Sequence, residues 1–288
     1  MPNHYKKYLQ LLPKRRIDMN KGDCGRVFII AGSVGMTGAA CLCTKAALRS
    51  GSGLVTLGTP ECVQPIAASV LLEAMTLPLP CNDGKLSKAS VPAICDKVYT
   101  CDVCAIGPGL GNTNDIREII SSILKQKTHC VIDADGLNSI ADCTELLNTK
   151  TCSVVITPHP GEMSRLTGLS IEEINADRTG VALTYAKEWD CVVLLKGFDT
   201  VIASPDGEFC INKTGNCGMA SGGMGDVLTG IIASFIGQGC TLYDAACLGA
   251  YIHGLAADIA ALEVGEFGLI ASDVVKKIPN AIIRLSGK

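Results

Sequence analysis

A glycine-rich turn that leads into one acidic residue is the part of this chain best suited to chemistry. Residues 220–230 read Ala-Ser-Gly-Gly-Met-Gly-Asp-Val-Leu-Thr-Gly, and an apolar helical pattern follows Asp226. Free backbone N–H groups at such a helix start hold phosphate or a developing oxyanion. Because a carboxylate would repel a resting anion, Asp226 is predicted to be a general base that deprotonates a hydroxyl beside a bound phosphoryl group. The alternative is a plain helix cap, since Asp is a favoured N-cap residue.

Several other turns follow predicted strands. Each is rich in Gly, Pro or Asp, and together they cover residues 32–40, 107–111, 134–137, 158–162 and 196–197. In an open parallel sheet, ligands bind at the carboxyl ends of the strands, so these turns should gather along one edge. The sequence therefore predicts one large pocket lined by backbone.

Alternating short apolar runs and helical patterns predict an α/β fold with a mostly parallel central sheet and helices on both faces. Predicted strands are residues 27–31, 54–57, 103–106, 130–133, 154–157, 192–195 and 200–203, the last forming a hairpin with 208–211. Predicted helices are residues 37–50, 60–69, 114–125, 174–189, 227–236 and 242–262. No linker or repeat divides the chain, so we expect a single domain over residues 1–288.

Composition argues against several classes of protein. The net charge is −3 and the basic residues form no stripe, which predicts no nucleic-acid partner. We expect no membrane span, because no charge-free apolar run approaches roughly 20 residues. We expect no secretory signal, because no apolar core and cleavage site follow the polar and basic N-terminal residues. The 16 cysteines are spread through apolar segments, as in proteins of a reducing interior, so the predicted location is the cytoplasm. Cys101 and Cys104 form a lone C-x-x-C, which by itself does not indicate a metal site.

Six stretches together resemble the ribokinase-like superfamily and, within it, the NAD(P)H-hydrate dehydratases. They occur in the family's order at residues 21–40, 106–111, 133–137, 157–163, 195–202 and 214–230. The discriminating stretches are Thr-Pro-His-Pro-Gly-Glu at 157–162 and Gly-Pro-Gly-Leu-Gly at 107–111. Met224 is a departure, since a small hydroxyl residue is expected there. The family often carries an epimerase domain ahead of this one; nothing before Lys21 is long enough for it, so we expect a stand-alone dehydratase domain.

The resemblance implies a reaction that repairs hydrated NADH or NADPH (NADHX or NADPHX). The ring hydroxyl would be phosphorylated by ADP or ATP, and elimination of phosphate would then restore the reduced nicotinamide and release AMP or ADP. Asp226 would take the hydroxyl proton. The enzyme would be a carbon–oxygen lyase of metabolite repair.

The resemblance also implies site residues and partners. Four residues match the family's contacts to the hydrate: Ala39, Gly109, His159 and Asp226. Six match contacts to the AMP portion of the nucleotide: Lys196, Gly197, Phe198, Asp199, Thr200 and Gly225. Mg²⁺ is expected with the nucleotide, but its ligands stay open, since Asp133 and Asp135 could either bind it through water or cap the following helix. Similar proteins are often tetrameric, so a homo-oligomer is expected.

The same sequence features bear on other functions. A small-molecule kinase of the same superfamily, acting on a vitamin precursor or a sugar, would use the same turn and the same Asp226. A non-catalytic nucleotide-binding regulator would leave the acid in an anion site unexplained. A Rossmann dehydrogenase fits poorly, because residues 32–38 lack the G-x-G-x-x-G spacing. The choice between ADP and ATP, and between the two hydrates, stays open.

Overall fold

The computed structural model describes residues 3–287, with side chains from residue 6 onward. The strands are β1 (Arg26–Ile30), β2 (Leu54–Pro60), β3 (Met75–Leu79), β4 (Cys81–Asn82), β5 (Lys85–Leu86), β6 (Val103–Ile106), β7 (His129–Ile132), β8 (Val154–Ile156), β9 (Val192–Leu195), β10 (Thr200–Ala203) and β11 (Phe209–Asn212). The helices are α1 (Asn3–Leu11), α2 (Thr37–Arg49), α3 (Gln64–Val70), α4 (Val91–Tyr99), α5 (Asn114–Leu124), α6 (Asp135–Ser139), α7 (Pro160–Thr167), α8 (Ile171–Ala176), α9 (Arg178–Glu188), α10 (Met224–Gly237), α11 (Leu242–Val264) and α12 (Ala271–Ser286).

Nine strands form one mixed sheet in the order β11-β10-β9-β8-β7-β6-β1-β2-β3. Pairing is parallel from β9 to β3, and the antiparallel strands β10 and β11 complete one edge. The small hairpin β4–β5 lies outside this sheet. The prediction of a mostly parallel sheet with a terminal hairpin is confirmed.

Both faces of the sheet are covered by helices. Val27 and Ile29 of β1 pack into an apolar cluster with α2, α10, α11 and α12. Phe28 and Ile30, the alternate residues, pack into a second cluster with α4, α5, α7 and α9. Continuous apolar strands are typical of a sheet buried on both sides, and that pattern made the fold class predictable.

Some elements differ from the sequence prediction. The single helix predicted over residues 174–189 is broken at Asp177, whose carboxylate accepts a hydrogen bond from the Gly180 N–H at 2.8 Å and caps α9. Strand β3 was missed by the apolar pattern because it contains Pro78, which an edge strand tolerates. Helix α12 was not predicted from the sequence. It contains Pro279, a residue that ordinarily argues against a helix interior.

Helix α11 is the most apolar long helix in residues 3–287. By length and composition alone it could cross a membrane, but 78% of its most apolar window is buried inside the protein. Its apolar character is explained by its place in the core between α10 and α12.

Candidate active site

The glycine-rich turn forms the N-terminus of α10. Gly223 is the N-cap with φ of 87°, a left-handed conformation that favours glycine, and a Cβ there would lie 2.6 Å from Leu42 Cδ1. The helix starts at Met224, so Asp226 lies inside its first turn and is not the N-cap. The Met224 side chain is buried in the apolar cluster below the turn. The capping alternative for Asp226 is therefore wrong.

The carboxyl group of Asp226 has an altered acidity. Burial, and next the negative charge of Asp133, raise the pKa of Asp226 to about 7, although the positive charge of Lys196 acts in the opposite direction. Such a group is partly ionised at neutral pH. That acidity suits a general base, whose pKa should lie near the working pH.

A buried ion pair lies beside this helix start. Lys196, which follows β9, places its Nζ 2.6 Å from Oδ1 of Asp133, which follows β7. The Thr229 hydroxyl of α10 donates to the other oxygen, Oδ2, at 2.7 Å. A Cβ on Gly225 would lie 3.4 Å from Lys196 Nζ, so this glycine faces the ion pair directly. The ends of β7 and β9 and the start of α10 therefore meet at one place.

The two aspartates considered as metal ligands or helix caps are held by protein groups. Asp133 accepts from Lys196 and Thr229, as described, and Asp135 Oδ2 accepts from the Gly111 N–H at 2.8 Å. Ala134 is the N-cap of α6, without a side-chain cap. Capping is thus wrong for both residues. Within residues 3–287 no group of three His, Cys, Asp or Glu side chains is arranged to hold a metal ion.

His159 has a structural task as well as an exposed edge. It is the N-cap of α7, and its Nδ1 accepts from the N–H groups of Gly161 at 3.0 Å and Glu162 at 3.2 Å. An accepting Nδ1 carries no proton, so the ring proton is on Nε2. Burial lowers the pKa of His159, with Lys196 adding to the effect and Glu162 opposing it. The lowered pKa favours the neutral ring, with its proton on Nε2. Because the side chain is 49% exposed, this N–H group can donate to a bound molecule.

Glu162 is a site residue that the sequence analysis quoted without assigning a role. It is 4% exposed, and its Oε2 accepts a hydrogen bond from the backbone N–H of His159 at 2.8 Å. The same oxygen lies 3.5 Å from Lys196 Nζ. Its Oε1 lies 3.5 Å from His159 Nε2. One buried carboxylate therefore contacts both the predicted hydrate residue and the predicted nucleotide residue. The sequence feature that could have indicated a role for Glu162 is the capping-box spacing, in which Glu follows the cap residue by three positions.

Ala39 and Gly109 lie against each other. Gly109 has φ of 66°, and a Cβ there would lie 3.1 Å from Ala39 Cβ and 2.8 Å from Met36 Cβ. The Ser33 hydroxyl donates to the Gly109 carbonyl at 2.7 Å, which fixes the 107–111 turn on the start of α2. Gly109 is buried, and a side chain at this position would clash with Met36 and Ala39.

The turn from β9 to β10 contains the remaining predicted nucleotide residues. Gly197 has φ of 148° and Asp199 has φ of 55°, and the Thr200 hydroxyl closes the turn on the Gly197 carbonyl at 2.9 Å. Phe198 does not join the buried network, since 94% of its surface is exposed. The Arg178 guanidinium, which the sequence analysis missed, supports the turn by donating to the carbonyls of Leu195 and Lys196.

Two curated relatives cover this chain almost completely. The chain is 45% identical over 276 residues to the bifunctional NAD(P)H-hydrate repair enzyme Nnr of Moorella thermoacetica, covering 95% of this chain and 52% of that protein. It is 35% identical over 265 residues to the ADP-dependent (S)-NAD(P)H-hydrate dehydratase of Neisseria meningitidis, covering 90% of this chain and 86% of that one. The chain thus spans about half the length of several curated relatives that it matches.

Solved structures agree with these relatives. The ADP/ATP-dependent NAD(P)H-hydrate dehydratase of Bacillus subtilis, co-crystallised with ATP and Mg²⁺, matches with a TM-score of 0.87 and 32% identity, over 98% of this chain and 97% of that one. A ribokinase-like superfamily protein of Enterococcus faecalis matches with a TM-score of 0.83 and 26% identity, over 99% and 95%. The predicted ribokinase-like fold is confirmed. Since the NAD(P)H-hydrate dehydratase model of the Carb_kinase family matches residues 27–280, the chain belongs to that family.

Proposed function

We propose that this protein is a nucleotide-dependent dehydratase that converts NADHX or NADPHX back to NADH or NADPH. In this scheme the Asp226 carboxylate takes the proton of the ring hydroxyl, and the oxygen attacks the terminal phosphoryl group of ADP or ATP. AMP or ADP leaves. The phosphorylated oxygen then departs as phosphate, and the ring nitrogen supplies the electron pair that restores the reduced nicotinamide.

One observation carries this proposal. Asp226, with a pKa of about 7, lies in the first turn of a helix whose free N–H groups favour an anion, beside the Lys196–Asp133 pair. A base next to an anion-holding turn is what transfer of a phosphoryl group to an alcohol needs. The same geometry would serve a kinase, but family membership and the curated relatives favour the dehydratase.

The phosphoryl group is assigned to the start of α10. We assign the N–H groups of Gly223, Met224 and Gly225 to the transferring phosphoryl group, where they would offset the charge that develops during transfer. Lys196 adds a positive charge, because Asp133 and Glu162 outweigh the effect of burial and raise the pKa of Lys196. Residues 197–200 are assigned to the AMP portion of the nucleotide.

The hydrate is assigned to the other side of Asp226. His159 donates from Nε2 to a polar atom of the substrate, while Ala39 and Gly109 let the substrate approach the backbone closely. Glu162 acts through its neighbours: it holds the His159 ring and the Lys196 ammonium and is therefore a positioning residue. These assignments rest on the contacts described above and on the resemblance of the motifs.

We expect Mg²⁺ to bind together with the nucleotide. The oxygens of Asp133 are engaged by Lys196 and Thr229, and one oxygen of Asp135 is engaged by Gly111. Mg²⁺ commonly uses only one or two carboxylates together with phosphate oxygens and water. The residues fit such a shared ion, with Asp135 as the carboxylate available nearby, and the ion would offset phosphate charge.

A direct assay tests the function. Purified protein is mixed with NADHX or NADPHX and either ADP or ATP, and the absorbance of the reduced nicotinamide is followed while nucleotides and phosphate are quantified. We expect the absorbance to return only with nucleotide, with one AMP or ADP and one phosphate released per molecule repaired. Accumulation of a stable phosphate ester would instead show a kinase, and no return of absorbance with either nucleotide would remove the dehydratase proposal.

Location and assembly are part of the proposal. We propose a cytoplasmic homo-oligomer, with a homotetramer as the form to test, and without nucleic-acid or membrane partners. Light scattering coupled to size exclusion measures the mass directly, against 30.0 kDa for one chain.

The positioning role of Glu162 gives a prediction with a matched control. Glu162→Gln keeps a side chain that caps α7 but removes the charge near Lys196, so we expect the KM for nucleotide and for hydrate to rise about tenfold. We also expect the pKa of His159 to fall further, measured by NMR, because Glu162 now raises it. Glu173 occupies the same capping-box position in α8 beside Ser170, and Glu173→Gln should change neither constant. Equal effects of the two substitutions would show that Glu162 acts only as a helix-capping residue.

A further inference from the structure

The chain has 16 cysteines, and one pair among them lies at the surface. The Sγ atoms of Cys62 and Cys81 are 3.5 Å apart and share a hydrogen bond. Cys62 is exposed and Cys81 is half-buried. A small oxidant in solution can therefore reach this pair.

The backbone holds the two residues opposite each other. Strands β2 and β3 pair in parallel with Pro60 opposite Leu79, and the Glu61 N–H continues the ladder by donating to the Leu79 carbonyl at 2.9 Å. Cys62 and Cys81 each lie two residues beyond this pair. Joining them as a disulfide, with a bond of about 2.05 Å, requires the two Sγ atoms to approach each other by about 1.5 Å.

The other cysteines lack this combination of a partner and access. Cys104 and Cys130 are paired in register on β6 and β7, but both are completely buried. Cys217 is exposed, but its thiol contacts Glu266 Oε2 at 2.9 Å. These residues serve as internal comparisons for the surface pair.

We propose that Cys62 and Cys81 form a site of reversible oxidation, which a low-molecular-weight disulfide such as oxidised glutathione converts to an intramolecular disulfide. One thiolate attacks a glutathione sulfur, forming a mixed disulfide and releasing one glutathione thiolate. The second thiolate attacks the protein sulfur of that mixed disulfide and releases the second glutathione. The two protein thiols lose two electrons and two protons, and oxidised glutathione is reduced to two thiols.

This bond would bear on the candidate active site through the hairpin β4–β5. Cys81 is the first residue of the hairpin, and the Gly84 carbonyl at its tip accepts from the Val34 N–H at 2.9 Å. A Cβ on Gly111 would lie 3.0 Å from Lys85 Cε, so the hairpin also lies against the 107–111 turn. The disulfide would link the hairpin to the end of β2. Because the hairpin contacts the turns at residues 32–40 and 107–111, the disulfide would restrain these turns as well.

Thiol acidity sets the conditions for the reaction. Desolvation by neighbouring atoms, followed by the hydrogen bond from Cys81, raises the pKa of the Cys62 thiol although the residue is exposed. Because the thiolate is the attacking species, the exchange should be faster at pH 8.5 than at pH 7.

The test counts thiols and maps the bond, so its outcome is independent of dehydratase activity. Folded protein is incubated with oxidised glutathione at pH 8.5, quenched in acid, unfolded, alkylated and analysed by peptide mass spectrometry. We expect a peptide cross-linked through Cys62 and Cys81, the loss of two alkylatable thiols, recovery of both with dithiothreitol, and alkylated Cys104 and Cys130. The melting temperature should rise on oxidation.

The variant Cys62→Ser separates this bond from general oxidation. It should form no cross-link and should carry glutathione on Cys81, with no rise in melting temperature. Alkylation of both Cys62 and Cys81 in the treated wild type, or glutathione on each without a cross-link, would overturn the proposal. So would a loss of two thiols in Cys62→Ser equal to that of the wild type.

Discussion

Replacing Asp226 by asparagine is expected to lower the rate of hydrate repair by a factor of about 10²–10⁴, the usual contribution of a general base. Asparagine has nearly the same shape and cannot accept the hydroxyl proton. Both ligands should still bind, since the N–H groups of the turn are unchanged. Single-turnover kinetics, together with calorimetric titration of nucleotide, separates the loss of chemistry from a loss of binding.

The same variant should be more stable at alkaline pH. The pKa of Asp226 is raised from 3.8 to about 7 in the folded protein, so the folded state disfavours its ionised form. The stability associated with the protonated form is fully present below about pH 4 and is lost as the pH rises through about 7. Asp226→Asn removes this effect, so its melting temperature at pH 8 should exceed that of the wild type. An inactive variant that is also less stable would point to misfolding instead.

Asp244 provides the matched control. It occupies the corresponding third position of α11, where its Oδ2 accepts from the Thr241 hydroxyl at 2.7 Å. Asp244→Asn therefore makes the same chemical change at the same helix position. Its repair rate should stay within about twofold of the wild type, and a comparable loss would contradict a role specific to Asp226.

Replacing Lys196 by methionine is the second substitution with a large expected effect. It leaves the buried carboxylates of Asp133 and Glu162 without their shared cation, and breaking a buried pair in this way typically costs about 3–5 kcal/mol. Because 18% of the Lys196 side chain is exposed, water screens part of this loss and we expect the lower end of that range. Denaturant unfolding measures the change, and the KM for nucleotide should rise at least tenfold.

A surface ion pair and a double variant test the explanation. Lys88 and Glu118 form an exposed pair, with 62% and 56% of their side chains exposed, and Lys88→Met should change the free energy of unfolding by less than about 1 kcal/mol. Combining Lys196→Met with Asp133→Asn should recover part of the stability, because one unpaired charge is removed, without recovering nucleotide affinity. Recovery of both properties would show that Lys196 acts only as a structural residue.

The fold class could be predicted from the sequence for physical reasons, and so could the meeting of the turns that follow β7 and β9. Strands that are buried on both faces have continuous apolar sequences. Because the strands are parallel, the turns that follow them lie at the same edge of the sheet. Asp226, Gly225 and Lys196 lie together as this reasoning predicts. The assignment of individual hydrate and nucleotide contacts remains a prediction.

Other parts of the site depend on tertiary contacts that a pattern does not reveal. Glu162 reads as an ordinary capping residue, and only the fold shows that its carboxylate lies between His159 and Lys196. Asp133 resembles a helix cap in sequence, but its oxygens are taken by residues 63 and 96 positions away. The role of Arg178 likewise depends on the packing of α9 against β9. Long-range partners of polar side chains were therefore the part that sequence reasoning missed.

The pH dependence of kcat/KM for the hydrate, at saturating nucleotide, tests the central claim most directly. A base with a pKa of about 7 must lose its proton to act, so the wild-type rate should rise tenfold per pH unit below pH 7 and level off above it. Asp226→Asn should retain only a small rate without this acid limb, whereas Asp244→Asn should reproduce the wild-type profile. A wild-type rate that is flat between pH 5 and pH 8, or an acid limb that persists in Asp226→Asn, would contradict the assignment of Asp226 as the base.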